Sequence, residues 1–240
     1  MGRNPVLEAM RAGHPITRLL VAKGGRSGTL LAIMAGAREK GIPVQLVERE
    51  RLERLAGPGH QGVVAYAAAK EYVELDDLLR RAGESGEEPL VIVVDSLEDP
   101  HNLGSILRTA DAVGAHGVVI PKHRNVGLTA TVAKTSAGAV EYVPVARVTN
   151  LVNALARLKE AGLWVVGADQ DAEQEFTEAH LSGPLAVVVG GEGKGLSRLV
   201  RERCDFLVRL PMRGKVNSLN AGVAAAVLLY EVMRQRAGLQ

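Results

Sequence analysis

From Leu90 onward, short continuous runs of Val, Ile and Leu alternate with stretches of helical apolar spacing. The runs are LVIVVD (90–95), HGVVIP (116–121), YVPVA (142–146), LWVVGAD (163–169), LAVVVG (185–190) and DFLVRL (205–210). The helical stretches cover 103–113, 129–137, 149–161, 196–203 and 218–234. A strand that is apolar at nearly every position has no face to give to water, so it belongs inside a sheet covered on both sides. Strands separated by helices make such a sheet parallel. The pattern therefore predicts an α/β domain over residues 90–240. In a sheet of this kind ligands sit beyond the carboxyl ends of the strands, which singles out the loops 95–103, 121–128, 167–172, 190–196 and 211–218.

Upstream, residues 4–70 read as a smaller α/β unit. A short helix around Leu7 and Met10 precedes a strand at 18–22, a helix from Thr29 to Lys40 stopped by Gly41, and short strands at 44–47 and 62–66, with a helical turn at 51–55. The stretch RRAGESGEEP (80–89) holds one apolar residue, Ala82, and reads either as a linker or as the exposed end of a connecting helix. The boundaries expected are 1–75 for the first domain, 76–89 for the link and 90–240 for the second.

Charge separates the two parts. The whole chain is near neutral at +2, but residues 1–70 carry 11 Lys or Arg against 5 Asp or Glu, a surplus that the remainder reverses. Such a basic segment is either an ordinary solvated surface or the footprint of a polyanion. Aromatics make up only 3% of the residues, which argues against an aromatic platform for unpaired bases. One cysteine, Cys204, excludes an internal disulfide and a multi-cysteine zinc site, and the six histidines show no i, i+4 pair, so no metal is expected. No secretory leader and no 18-residue apolar span are visible, which points to a cytoplasmic protein with no membrane segment.

Three of the candidate loops hold residue types that could carry chemistry. In DSLEDPHNLGSILRTA (95–110), Pro100 fixes the entry to a helix, Asn102 is either its cap or a functional amide, and Arg108 follows about a turn and a half later. VGGEGKGLS (189–197) places Glu192 among four glycines. It is either a turn or a ligand loop, but Leu196 removes the dinucleotide fingerprint and Gly195 the P-loop motif. RLPMRGKVNSLNAGVAAA (209–226) opens the last helix, with Ser218 as the expected cap. Asn220 then stands inside that helix among Ala, Gly and Val, where an amide is unfavourable unless it has a specific partner.

Taken in order, these segments resemble the SpoU family of RNA ribose methyltransferases, in a match running from about residue 90 to the C-terminus. NLGSILRTADAVG matches the first family motif with Asn102 and Arg108, VVVGGEGKGLS the second with Glu192, and LPMRGKVNSLNAGVAAA the third with Ser218 and Asn220. One departure is Gly222, where relatives often carry Ser. GRNPVLEAM and HQGVVA are similar to the substrate-binding domain of one branch, a fold like ribosomal protein L30e. PKHRNVGLTATVAKTSAGAVEYVPVARVTNL narrows the resemblance to the branch that methylates a guanosine of 23S rRNA in the P loop of the peptidyl-transferase centre.

The resemblance implies a SPOUT-type catalytic domain with a C-terminal trefoil knot, an exception to the rule of unknotted chains. It implies S-adenosylmethionine held near Gly190, Leu210, Met212 and Leu219, and a homodimer joined through the catalytic domain. It also implies transfer to a ribose 2′-hydroxyl with Asn102, Arg108, Glu192, Ser218 and Asn220 in the catalytic set. The family assigns the base to Arg108, yet a guanidinium stays protonated in nearly all proteins, so binding a phosphate and stabilising alkoxide charge suits it better. RNA contacts are expected from Arg3, Arg11, Arg18, Lys23 and Arg26. The rival readings are 2′-O-methylation of tRNA and a non-catalytic RNA-binding or ribosome-assembly protein. A dinucleotide-dependent dehydrogenase is disfavoured by the missing glycine fingerprint.

Overall fold

A computed structural model describes residues 1–25, 27–193 and 195–238. In chain order its elements are α1 (Arg3–Arg11), β1 (Ile16–Ala22), α2 (Gly28–Glu39), β2 (Val44–Val47), α3 (Arg49–Ala56), β3 (Val63–Ala67), α4 (Leu75–Glu84), β4 (Leu90–Asp95), α5 (Pro100–Ala112) and β5 (Gly117–Pro121). There follow α6 (Ala130–Thr135), a single 3-10 turn (Ala139–Glu141), β6 (Val145–Val148), α7 (Leu151–Glu160), β7 (Trp164–Ala168), β8 (Gln174–Glu175), β9 (Leu185–Gly190), α8 (Arg198–Arg203), β10 (Phe206–Arg209) and α9 (Ala221–Arg236). The chain divides into two units: residues 1–71 with 128–142, and residues 72–127 with 143–240.

The first unit is built on a three-stranded sheet of order β2-β1-β3, in which β1 runs parallel to β2 and antiparallel to β3. One face buries Leu19, Val21 and Val63 against α1 and α2, and the other buries Leu20 and Ala22 against Leu52 of α3. The HQG segment has a structural task here. Buried His60 accepts the amide of Gly62 at Nδ1 (3.0 Å), and Gln61 receives the backbone amide of Arg3 (3.0 Å) and its Nε (2.9 Å). The alternation of strands and helices puts 128–142 with the sheet domain, but these residues contribute to the first unit. Lys70 Nζ and His14 Nδ1 both approach the Glu141 carboxylate, at 3.2 and 3.3 Å, and the Tyr142 hydroxyl donates to Glu8 at 2.6 Å. YVPVA accordingly begins its strand only at Val145, because Tyr142 closes the 3-10 turn.

The second unit is an α/β domain with a seven-stranded sheet of order β6-β5-β4-β9-β7-β10-β8, every pairing parallel. The apolar runs at 90–95 and 185–190 are its two central strands, paired in register from Leu90↔Leu185 to Asp95↔Gly190. Strand order reverses there: the chain builds outward from β4 to β6, crosses to β7, then inserts β9 between β4 and β7. Side chains from both faces of β4 and β9 are buried. Within the stretch read as linker or helix end, residues up to Glu84 are helical, with Leu78 and Ala82 of α4 buried. From the far end of the chain, Arg236 donates to the carbonyls of Glu88, Pro89 and Gly183, pinning the lead-ins to β4 and β9.

Leu107 of α5 is fully buried, so a cavity at this position can close only in part. Leu107→Ala is expected to cost about 2–5 kcal/mol, read as a lowered urea midpoint by circular dichroism with an unchanged slope. A loss under about 1 kcal/mol would show that α5 is not held by this core.

Candidate active site

At the carboxyl end of β4, Asp95 is 4% exposed and organises the neighbouring glycine loop. Its Oδ2 accepts the amide of Ser197 at 2.7 Å and its Oδ1 the hydroxyl of Ser96 at 3.0 Å. The loop itself folds back on β9, with Gly195 donating to the Gly191 carbonyl at 3.0 Å. Its glycines are sterically required: a Cβ on Gly190 would lie 2.1 Å from the Gly195 carbonyl carbon, and one on Gly191 2.2 Å from the Ser96 oxygen. The spacing that fails the nucleotide fingerprints thus serves a different purpose, close packing of backbone on backbone.

This loop carries Glu192 to the two asparagines. Asn102 Nδ2 donates to Glu192 Oε1 at 3.0 Å, Asn220 Nδ2 donates to Asn102 Oδ1 at 2.8 Å, and Asn220 Nδ2 also reaches Glu192 Oε1. Asn220 Oδ1 accepts the amides of Gly222 (3.0 Å) and Val223 (3.2 Å). Two expectations about caps are corrected here. The cap of α5 is Asp99, which accepts the His101 amide at 2.8 Å, while Asn102 is inside the helix and 4% exposed. The cap of α9 is Asn220, not Ser218, and α9 begins at Ala221. The amide that looked misplaced in a helix stands at its entrance, where one side-chain oxygen satisfies two backbone donors. Gly222 is buried beside it, with Ser105 of α5 3.1 Å from where its Cβ would stand.

Beside the cluster lies a cleft of about 420 Å³. Among the expected site residues, Gly190, Glu192, Leu210, Ser218 and Leu219 line it, whereas Asn102, Arg108, Met212 and Asn220 do not. Ser218 is exposed and makes no hydrogen bond among the described residues. Arg108 is exposed on α5, the helix that carries Asn102. Asp169, Asp171 and Arg201 also line the cleft and escaped the sequence reading. The one available signal for the first two was their position in a candidate loop, 167–172. Cys204 is half-buried and its thiol is pushed up to about 12, mainly by burial, so it is no thiolate nucleophile near neutral pH.

Of the basic residues in the first unit, Arg11 pairs with Glu8 (2.8 Å) and Lys23 with Glu48 (2.6 Å), both exposed. Arg18 lies over the Tyr66 ring, 4.1 Å from its centroid, and Arg3 is held by Gln61. Arg26 falls outside the described residues. Exposed ion pairs of this kind contribute little to stability and leave the cations open to exchange for another anion.

A family model described as the SpoU rRNA Methylase family matches residues 89–230, and a second, described as RNA 2′-O ribose methyltransferase substrate binding, matches residues 1–73. A Bacillus subtilis (strain 168) protein named for the TrmH family of tRNA/rRNA methyltransferases is 53% identical over 98% of this chain and 95% of its own length. The SpoU methyltransferase AviRb of Streptomyces viridochromogenes, solved with AdoMet, superposes with a TM-score of 0.81 at 28% identity, covering 99% of this chain and 90% of its own. A TrmH/SpoU tRNA-modifying enzyme of A. aeolicus covers 68% of this chain and 85% of its own, with a TM-score of 0.58 at 30% identity.

The cap assignment separates the two polar residues at the start of α9. Asn220→Ala should lower stability by about 1–2 kcal/mol through the lost cap and stranded neighbours. Ser218→Ala should stay within about 0.5 kcal/mol of the parent. Chemical denaturation compares them, and the reverse ranking would return the cap to Ser218.

Proposed function

Since the chain belongs to the SpoU family of RNA methylases, we propose that it methylates a ribose 2′-hydroxyl of 23S rRNA, a guanosine of the peptidyl-transferase P loop, from a site around Asn102, Glu192 and Asn220. The reaction class, RNA 2′-O-methylation with S-adenosylmethionine as donor, follows from the family. The observation that carries the placement is the Asn102–Glu192–Asn220 cluster standing beside the glycine-floored cleft. A cleft of about 420 Å³ is of the size that small-molecule ligands fill. Its wall of backbone near Gly190, Leu210 and Leu219 offers fixed donors and acceptors to an adenine edge, so the residues present fit the donor.

S-adenosylmethionine supplies a methyl group on a positively charged sulfur. The chain's own task is to hold the 2′-oxygen in line with that carbon and to stabilise the charge that develops on the oxygen as the hydroxyl proton passes to solvent water. The cluster fixes the geometry: Glu192 Oε1 accepts both asparagine amides, which ties the glycine loop to α5 and to the start of α9. Arg108, exposed one and a half turns beyond Asn102, is proposed to hold an RNA phosphate and the developing alkoxide. Ser218 is proposed to meet the substrate or donor at the lip of the cleft, and Met212 to support the loop 211–220 from outside it. Methylation at a pyrimidine carbon would need a thiolate nucleophile, and Cys204 does not supply one.

The first unit is proposed as the RNA-binding domain, with Arg3, Arg11, Arg18, Lys23 and Arg26 as phosphate contacts, and the second as the knotted catalytic domain in a cytoplasmic enzyme. A dimer through α9 accounts for its unpartnered apolar stripe: Val223, Val227 and Tyr230 recur at helical spacing and are exposed, Tyr230 by 49%.

Transfer of labelled methyl groups to total RNA, followed by mapping, should place the label on a 2′-oxygen of 23S rRNA. Label in tRNA instead would replace the substrate and leave the reaction standing. Arg108→Ala should slow single-turnover transfer by about 100-fold or more with cofactor affinity unchanged. Arg108→Lys should recover most of the rate without moving the pH profile, and a shifted profile would restore Arg108 as the base. Tyr230→Glu should turn the sedimenting species from dimer to monomer at micromolar concentration; an unchanged dimer would exclude α9 from the interface.

A further inference from the structure

The cleft has one wall that the catalytic cluster does not use. Of the charged side chains lining it among the described residues, Asp169, Asp171 and Glu192 are acidic and Arg201 alone is basic. Glu192 is engaged by the two asparagines. Asp169 closes β7, its amide donating to Val208 of the neighbouring strand at 3.0 Å, and its Oδ1 accepts the Asp171 amide at 2.9 Å. Its Oδ2 meets Arg201 Nε at 3.1 Å, with the side chains 11% and 41% exposed, respectively. Arg201 comes from α8, which the glycine loop leads into, and its two terminal nitrogens make no hydrogen bond among the described residues.

We propose that Asp169 and Arg201 form the recognition site for the zwitterionic α-amino-acid end of the methyl donor, Arg201 taking the α-carboxylate and Asp169 the α-ammonium; this rests on the assignment of the cleft to S-adenosylmethionine. The adenosine part of that molecule carries no charge at neutral pH and is served by backbone amides and carbonyls. Its other end carries opposite charges on one carbon, and the complement of that arrangement is an anion and a cation side by side. Using only its Nε on Asp169, Arg201 keeps a planar fork of terminal donors for a two-point contact with a carboxylate. Asp169 is oriented by the Asp171 amide and by Arg201, so little is left to order when the ligand arrives. A plain salt bridge tying α8 to the end of β7 would need neither the free fork nor a place on the cleft wall.

Titration calorimetry with three ligands decides it: S-adenosylmethionine, its decarboxylated analogue and 5′-methylthioadenosine, which lacks the amino-acid end altogether. Wild-type protein should bind S-adenosylmethionine more tightly than the decarboxylated analogue by about 10- to 100-fold. Arg201→Gln should erase that difference while leaving methylthioadenosine affinity unchanged, and Asp169→Asn should weaken both amine-bearing ligands. Arg201→Lys should recover part of the preference. Equal weakening of all three ligands in Arg201→Gln would make the pair a structural bridge and overturn the proposal, as would an unchanged preference. If the wild-type protein binds S-adenosylmethionine without preferring it over the decarboxylated analogue, only the pair's role fails. If it binds none of the three, the cleft is not the donor site and both readings fall.

Discussion

The hydrogen bonds converging on Glu192 join segments that are far apart in the chain: Asn102 lies 90 residues away and Asn220 28 residues away. Asn102 is almost fully buried, and a buried amide left without partners is costly, by about 1–3 kcal/mol. The penalty is avoided only when β4, β9 and the approach to α9 all stand in their native places. The cluster is therefore a check on the assembly of the whole carboxyl edge of the sheet as well as a feature of the site. Glu192 and Asn220 are themselves exposed, so the carboxylate is held by neutral amides without being taken out of water.

That edge has to be crowded for the same reason that it is functional. β9 enters between two strands already separated by the crossing from β6 to β7, and its exit must leave room for a cleft. The backbone of the returning loop passes so close to β9 and to Ser96 that side chains on Gly190 and Gly191 cannot be accommodated. Asp95 then ties the loop's far end through the Ser197 amide. A loop fixed at both ends, with backbone facing the cleft, can recognise a ligand without paying to order flexible side chains.

The same logic shows which parts of this structure were legible in the sequence. β4 and β9 were readable residue by residue, because burial on both faces leaves no polar position to confuse the pattern. The small first sheet was readable from strands and helices of ordinary spacing. The strand order was not, since nothing local in LAVVVG states that it inserts between two earlier strands. Asn220 was legible as an amide in need of a partner, but the caps of both helices were misassigned. Asp, Ser and Asn all satisfy the chemistry of a helix entrance. Asn102 is drawn to Glu192 and leaves the cap of α5 to Asp99, whereas Asn220 reaches Glu192 with its amide nitrogen and still caps α9 with its oxygen. Arg201 carried no local signal at all, since one arginine in LSRLVRER looks like the next until the fold sets it on the cleft.

Charge is distributed along similar lines. In the first unit several basic residues are exposed and paired with carboxylates or an aromatic face, held at little energetic gain and open to exchange. In the second, the charges at the cleft are fewer and held more firmly, Asp169 by a backbone amide and a guanidinium, Glu192 by two asparagine amides. A long polyanion is well served by the first arrangement, because many replaceable contacts add up while no single one must be exact. A small ligand offers few contacts, so each group that meets it has to be oriented in advance. The contrast between exchangeable surface pairs and a braced cleft is what a protein needs when it must bind a large substrate loosely and place one of its oxygens tightly.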